Sequence, residues 1–235
     1  MKILCTICAR GGSKGLRNKA LRKIYGKPLI AYSVRQALKS KVFDEVVVST
    51  DSKKIQKIAN KFGAKSWFIR PKKLSNDKSP KLDAIKHAFT QSEKYFKKNF
   101  DIQVDLDITS PLRSIDDIKK SLAKFLKNKN LNNLISVCPA KKHPYFNMIE
   151  KKGKTSFKVV KKGKNLFRRQ DAPEVFEINA SIYIFRRKAL LKNEKLLNDK
   201  TSIYLMPRNR SIDIDDIDDF NIVKFYIKKN ERLFR

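Results

Sequence analysis

A chain of 235 residues that is 41% hydrophobic and 10% aromatic can bury a core as one α/β domain and is not a mainly disordered protein. No run reaches the ~18–20 apolar residues of a membrane span, and the short apolar start at residues 3–9 reads as a first strand, which points to an intracellular, cytoplasmic protein. Fifty-five Lys and Arg against 23 Asp and Glu give a net charge of +32, but the lysines are spread along the chain, so they read as a solvated surface that attracts small polyanions rather than as a nucleic-acid footprint.

Residues 3–8 form the first strand candidate and lead into CARGGSKGLRNK. Cys5 and Cys8 make a C-x-x-C spacing, yet strand positions three apart point to opposite faces, so the thiols cannot converge on one metal. With Cys138 they fit small core residues better than a disulfide framework. Residues 29–38 have helical spacing, with Pro28 at the first turn. Residues 45–50 are β-rich, and 51–62 carry Ile55, Ile58, Ala59 and Phe62 at a helical period closed by Gly63. Residues 66–69 predict a third strand, ended by Arg70-Pro71.

Residues 81–96 predict a helix, 102–108 a strand, 115–126 a helix and 133–138 a strand. Strands alternating with helices of this length imply βαβ units, a mostly parallel sheet and helices on both faces. Ligands in such folds sit beyond the carboxyl ends of the strands. Between 139 and 177 the rhythm changes to hairpin-like runs around Gly153 and Gly163, an inserted β-rich lobe within a single domain spanning 1–235. Strands follow at 180–185 and 202–206, with a short helix between them and a last helix from about Asp216.

The loop behind the first strand concentrates Gly11, Gly12 and Gly15 among Arg10, Lys14, Arg17 and Lys19. Glycines let backbone N–H groups approach an anion, and cations at the rim neutralise it. Neither G-x-x-x-x-G-K-[ST] nor G-x-G-x-x-G fits, which disfavours a P-loop ATPase and a Rossmann dehydrogenase. A polyphosphate cradle is the sharper reading, and an ordinary strand–helix turn with solvated charges the plainer one.

ARGGSKGLRNK resembles the A-R-x-G-S-K-G-x-x-x-K signature of the CMP-N-acylneuraminate (CMP-sialic acid) synthetases. The resemblance continues in order through Gly26-Lys-Pro-Leu-Ile30, Val48-Ser-Thr-Asp51, Arg70-Pro71, Thr109-Ser-Pro-Leu-Arg113, His143-Pro144, Arg169-Gln170, Asn179-Ala-Ser-Ile-Tyr183 and Ser211-Ile-Asp-Ile-Asp215. It implies a three-layer, Rossmann-like nucleotidyltransferase fold whose lobe pairs two subunits. The implied reaction is a cytidylyltransferase one, in which CTP and a nonulosonic acid give the CMP-sugar and pyrophosphate. It also implies that Arg10, Gly11, Gly12, Ser13, Lys14 and Lys19 hold the CTP triphosphate and that Arg70 reads the base. Arg169, Gln170 and Tyr183 fall where the family contacts the sugar, although strand pattern alone makes Tyr183 a core residue. Arg10, Lys19 and Asp215 would carry the chemistry.

In two D-x-D pairs, Asp105/Asp107 and Asp213/Asp215, alternation along a strand puts both carboxylates on one face. Nucleotidyl transfer needs charge compensation on the triphosphate, and the resemblance assigns Mg²⁺ (or Mn²⁺) to Asp213 and Asp215. Asp216 reads as a helix N-cap with Asp219 three residues on. Asp107 departs from the family, which often has glutamine there. Two readings stand for it: a sugar or metal contact, and a hydrogen bond that holds the loop. Ala20 replaces a common asparagine, Lys81 and Asp83 stand where the family is serine-rich, and Glu177 replaces an arginine. These departures leave nucleotidyl transfer intact and open the choice of base and sugar. A related nucleotidyltransferase using another nucleotide or a sugar 1-phosphate, and a basic nucleic-acid-binding module, are the competing readings.

Overall fold

The computed structural model of the chain describes residues 1–163, 166–192 and 195–229. In chain order, β1 (Ile3–Cys8) is followed by a tight ribbon of β2 (Lys23–Ile24) and β3 (Lys27–Pro28), then by α1 (Leu29–Ser40), β4 (Glu45–Ser49) and α2 (Lys53–Lys61). Next come α3 (Lys81–Phe96), β5 (Ile102–Leu106), α4 (Ile115–Lys127), β6 (Asn133–Pro139), and the lobe strands β7 (Ile149–Lys151) and β8 (Phe157–Val159). The chain returns through β9 (Phe176–Arg186), α5 (Arg187–Leu191), β10 (Thr201–Leu205) and α6 (Ile217–Lys229).

Six strands form one sheet in the order β10-β6-β9-β5-β1-β4, all parallel except β9, which runs antiparallel to β5 and β6. Along β1, Ile3, Cys5 and Ile7 enter the core under α1, α2 and α4, while Leu4 and Cys8 face α3. The two cysteines thus diverge as strand geometry requires. Burial on both faces explains why β5 has no exposed residue. A third apolar cluster joins Phe220, Val223 and Ile227 of α6 to Leu16, Leu29 and Tyr32, and so fastens the end of the chain beside the glycine loop. Among the described residues no helix is long and apolar enough to cross a membrane.

Two expectations need correction. Residues 66–69 are not a strand; the segment is tied to β4 and its end by isolated bridges at Lys65 and Ile69 and by the Ser66 hydroxyl, which donates to the Val48 carbonyl at 2.9 Å. Between these points Trp67 turns away to stack on Tyr95, with ring centroids 4.0 Å apart, so aromatic packing replaces strand pairing. In the lobe, β7 and β8 make the hairpin expected around Gly153, whose φ of 126° suits glycine. No strand flanks Gly163 among the described residues.

Candidate active site

The loop leaving the carboxyl end of β1 is fixed at both ends. The Gly11 N–H donates to Asp51 Oδ1 at 2.8 Å, and a Cβ on Gly11 would press Ser52 at 3.2 Å. Gly11 is therefore needed for close approach to the start of α2, and its amide is already engaged. Gly12 is exposed, with open space around its Cα, and neither glycine lines the cleft. Gly15 has a different task, because a Cβ there would collide with the carbonyl oxygen of Asp215.

Beyond the loop, Lys19 is 9% exposed. Its ammonium donates to the Ile214 carbonyl and lies 3.5 Å from the Asp215 carboxylate. Ala20 turns inward and packs in the core at 1% exposure, so this position faces no ligand.

An open cleft of about 450 Å³ lies over this edge of the sheet, and Arg10, Ser13, Lys14 and Lys19 line its cationic wall. Arg70 lines the cleft too; it is buried, its backbone N–H donates to Thr50, and its Nε donates to Ser75 Oγ at 3.0 Å. Asp77, from the loop between Arg70 and α3, ion-pairs with Arg10 at 2.7 Å and with Lys14 at 2.6 Å.

The opposite wall is the segment carrying Asp213 and Asp215, which is not the strand expected from the alternation. It is an extended strap held between two loops. The Ile214 N–H donates to the Thr109 carbonyl at 2.9 Å, and Lys19 and Gly15 press from the other side. The helix start is as expected: Asp216 Oδ1 accepts from the Asp218 and Asp219 N–H groups at 2.9 Å, and Asp219 Oδ2 accepts from the Asp215 N–H at 3.0 Å. Asp215 projects into solvent with its side chain 81% exposed. Asp213 is partly buried, and burial first, then the nearby Asp107 charge, push its carboxyl up to about 6. Its Oδ1 is buried with no hydrogen-bond partner. A buried carboxylate oxygen without a donor, close to a second carboxylate at the cleft edge, is a donor set that would suit a hard cation.

On the floor, Asp107 lies just past the end of β5. Its Oδ1 accepts from the Thr109 N–H and hydroxyl at 3.0 and 2.9 Å, and its Oδ2 pairs with Lys81 at 2.5 Å. Two positions noted separately as departures from the family are thus one ion pair. The fully buried Arg113 holds the Asp107 carbonyl through Nη2 at 2.6 Å and the Ser181 carbonyl through Nη1 at 2.8 Å. Burial lowers its guanidinium to about 10.

Tyr183 is buried, as strand pattern alone suggested, and faces a smaller apolar pocket of about 350 Å³ that shares Pro80 and Lys81 with the cleft. Gln170 is exposed and does not line the cleft of its own chain, while the side chain of Arg169 lies outside the described residues. Glu177 accepts from the Lys141 N–H at 2.7 Å and so pins the lobe. Sequence reasoning missed Asp77 and the clamping roles of Lys81 and Arg113; the only signal available was charge placed at a loop end or helix start.

A cationic loop facing an acidic strap across the carboxyl edge of a mostly parallel sheet defines a nucleotidyltransferase. The cytidylyltransferase family model matches residues 4–231, and the chain belongs to that family. It is 47% identical over 227 residues to the CMP-N,N'-diacetyllegionaminic acid synthase of Campylobacter jejuni, covering 96% of this chain and 95% of that protein. It is 46% identical over 229 residues to post-translational flagellin modification protein B of Campylobacter coli, covering 97% and 96%. Among solved structures, a CMP:2-keto-3-deoxy-manno-octonic acid synthetase complexed with CTP shares the fold with a TM-score of 0.72 at 19% identity, over 97% of this chain and 99% of that one.

Proposed function

We propose that this enzyme transfers CMP from CTP to the anomeric hydroxyl of a sialic-acid-like nonulosonic acid, with release of pyrophosphate. The observation that carries the reading is the contact of the Asp213–Asp215 strap with Gly15 and Lys19, which sets metal-type carboxylates directly against a cationic anion loop. Membership of the cytidylyltransferase family and the similarity to a CMP-N,N'-diacetyllegionaminic acid synthase support cytidine as the base and a nonulosonic acid as the acceptor.

Arg10, Ser13, Lys14 and Lys19 bind the triphosphate, and Arg10 and Lys19 stabilise the charge that develops on the departing pyrophosphate. Arg70 supports base recognition from the buried side of the cleft. The sugar lies over Asp107 and towards Tyr183, with its anomeric oxygen in line with the α-phosphorus. Holding the two reactants in this order supplies much of the rate. Asp213 and Asp215 would hold Mg²⁺ or Mn²⁺, which compensates triphosphate charge and acidifies the attacking hydroxyl.

A homodimer through the lobe belongs to the same reading. Ile149 and Phe157 on the hairpin are 65% and 62% exposed, and an apolar ribbon of this kind calls for a covering surface. The enzyme acts in the cytoplasm, a placement that its three free cysteines support.

The deciding experiment incubates the protein with CTP, Mg²⁺ and a panel of keto-sugar acids and reads the mass of any CMP-linked product. A CMP-nonulosonic acid supports the reading. Transfer only to sugar 1-phosphates, or only from another nucleotide, overturns it.

A further inference from the structure

Lys81 is the first residue of α3, behind Pro80, and its side chain turns into the floor of the cleft. The ammonium lies 2.5 Å from Asp107 Oδ2, 3.3 Å from Asp105 Oδ2 and 3.5 Å from the Ala180 carbonyl, and 4.4 Å above the Tyr183 ring. An ammonium has three N–H groups. Asp107 Oδ2 and the Ala180 carbonyl accept hydrogen bonds from it, and Asp105 Oδ2 lies within ion-pair reach without one, so Lys81 is held chiefly against Asp107. Burial alone would lower its pKa, but the Asp107 and Asp105 charges outweigh burial and hold it above the ordinary lysine value.

Asp107 is fixed on every side. Thr109 occupies Oδ1, Lys81 occupies Oδ2, and Arg113 and the Ser33 hydroxyl hold the main-chain carbonyl. A carboxylate has about four acceptor positions. Those bonds fill only three, and Asp107 still lines the cleft. Asp105 and Asp107 are balanced by Lys81 and Arg113, so the floor offers a carboxylate acceptor without an excess of charge, whereas the opposite wall carries Arg10, Lys14 and Lys19. The cleft is therefore polarised, with one end suited to a triphosphate and the other to groups that donate hydrogen bonds.

We propose that Lys81 is a positioning residue for sugar selection: it clamps Asp107 so that the remaining acceptor reads a hydroxyl or amide N–H of the sugar acid. This inference rests on the proposed cytidylyl transfer and adds to it the element that selects the sugar.

The test uses Lys81→Met, Asp107→Asn and the double variant, with N,N'-diacetyllegionaminic acid as the probe sugar. Steady-state KM for the sugar, the CTP Kd by calorimetry and the thermal midpoint are read in parallel. Each single change is expected to raise the sugar KM about tenfold, the loss of one charge-assisted contact, with the CTP Kd changed by no more than about twofold. The double variant is expected to be no worse than the poorer single one, because Lys81 acts through Asp107.

Effects that multiply in the double variant would mean that Lys81 touches substrate itself, and would overturn the proposal. A folded Asp107→Asn enzyme with unchanged sugar KM would overturn it too, whatever becomes of Lys81→Met. Absence of CMP transfer to the probe by the unaltered enzyme removes the probe reading, and with it this proposal. Normal transfer with unchanged KM in the variants removes only the proposal.

Discussion

Asp77 bridges Arg10 and Lys14, at 2.7 and 2.6 Å, so one carboxylate of the chain holds both rim cations of the cleft. The two cations hold that carboxylate below its ordinary range. In the proposed reading, phosphate oxygens of CTP compete with Asp77 for these two cations. Asp77→Asn, which keeps the shape and removes the charge, is expected to tighten CTP binding by about threefold, the scale of an exposed ion pair. Calorimetric titration with CTP checks this. Weaker binding would show that Asp77 serves the nucleotide rather than competing with it.

Gly15→Ala tests the contact between loop and strap. The added methyl meets main-chain oxygen of Asp215, which cannot rotate away as a side chain would. Either the loop or the strap must shift, and displacement of reacting groups by about 1 Å costs on the order of 100-fold in rate. The expected result is a drop of that size in kcat/KM with the thermal midpoint little changed. Gly12→Ala, with nothing within 4 Å of its added Cβ, is the control expected to remain within about threefold of normal.

Asp215→Asn separates chemistry from folding. Its carboxylate is largely solvent-exposed, so its loss leaves the core intact. Turnover is expected to fall on the order of 100- to 1000-fold, the scale of losing a main electrostatic stabiliser, while the circular dichroism melt is retained. Binding of Mn²⁺ followed by paramagnetic resonance should weaken in the same variant.

How far the sequence foretold this site follows the range of the interactions involved. The residue order of strands and helices was legible because each apolar face repeats locally, as in α3, whose bounds match the expected 81–96. Asp216 as a helix cap was legible for the same reason: its partners lie two and three residues away. The strap was misread as a strand because alternation in SIDID records which side chains face inward, and its backbone partners are loops at Thr109 and Lys19. Lys81 and Asp107 each stood out as departures, but no local pattern joins residues 26 positions apart; only the fold brings them to 2.5 Å.

Arg210 anchors the strap at its start. Its guanidinium forms a two-point bond to the buried Asp117, Nε to Oδ2 and Nη2 to Oδ1, both at 2.9 Å, and Ser114 and Tyr204 complete the carboxylate. Burial would raise the Asp117 pKa, but Arg210 and Ser114 outweigh it, so the folded value lies below the unfolded one. A lowered carboxyl pKa contributes stability that is present above the unfolded value, near pH 4, and is lost as pH falls through the folded value. Arg210→Ala is expected to cost about 2 kcal/mol at pH 7 and to move acid unfolding to higher pH. Urea melts across pH 3–7 measure both, and an unchanged acid midpoint would contradict the assignment.

The lobe gives the last prediction. The β7–β8 hairpin presents Ile149 and Phe157 to solvent, with Met148 and Val160 beside them. Two short strands with apolar residues on an open face are marginal alone in water and gain stability when the face is covered. Gln170, on the same lobe, does not line the cleft of its own chain, so a sugar contact from it requires the lobe to reach a second copy. Light scattering of the intact enzyme is therefore expected to give the mass of a dimer. Ile149→Glu combined with Phe157→Glu should give a folded monomer whose sugar KM rises about tenfold or more while CTP binding persists. A monomer with normal sugar KM would separate assembly from catalysis and confine sugar recognition to Asp107, Tyr183 and their neighbours within one chain.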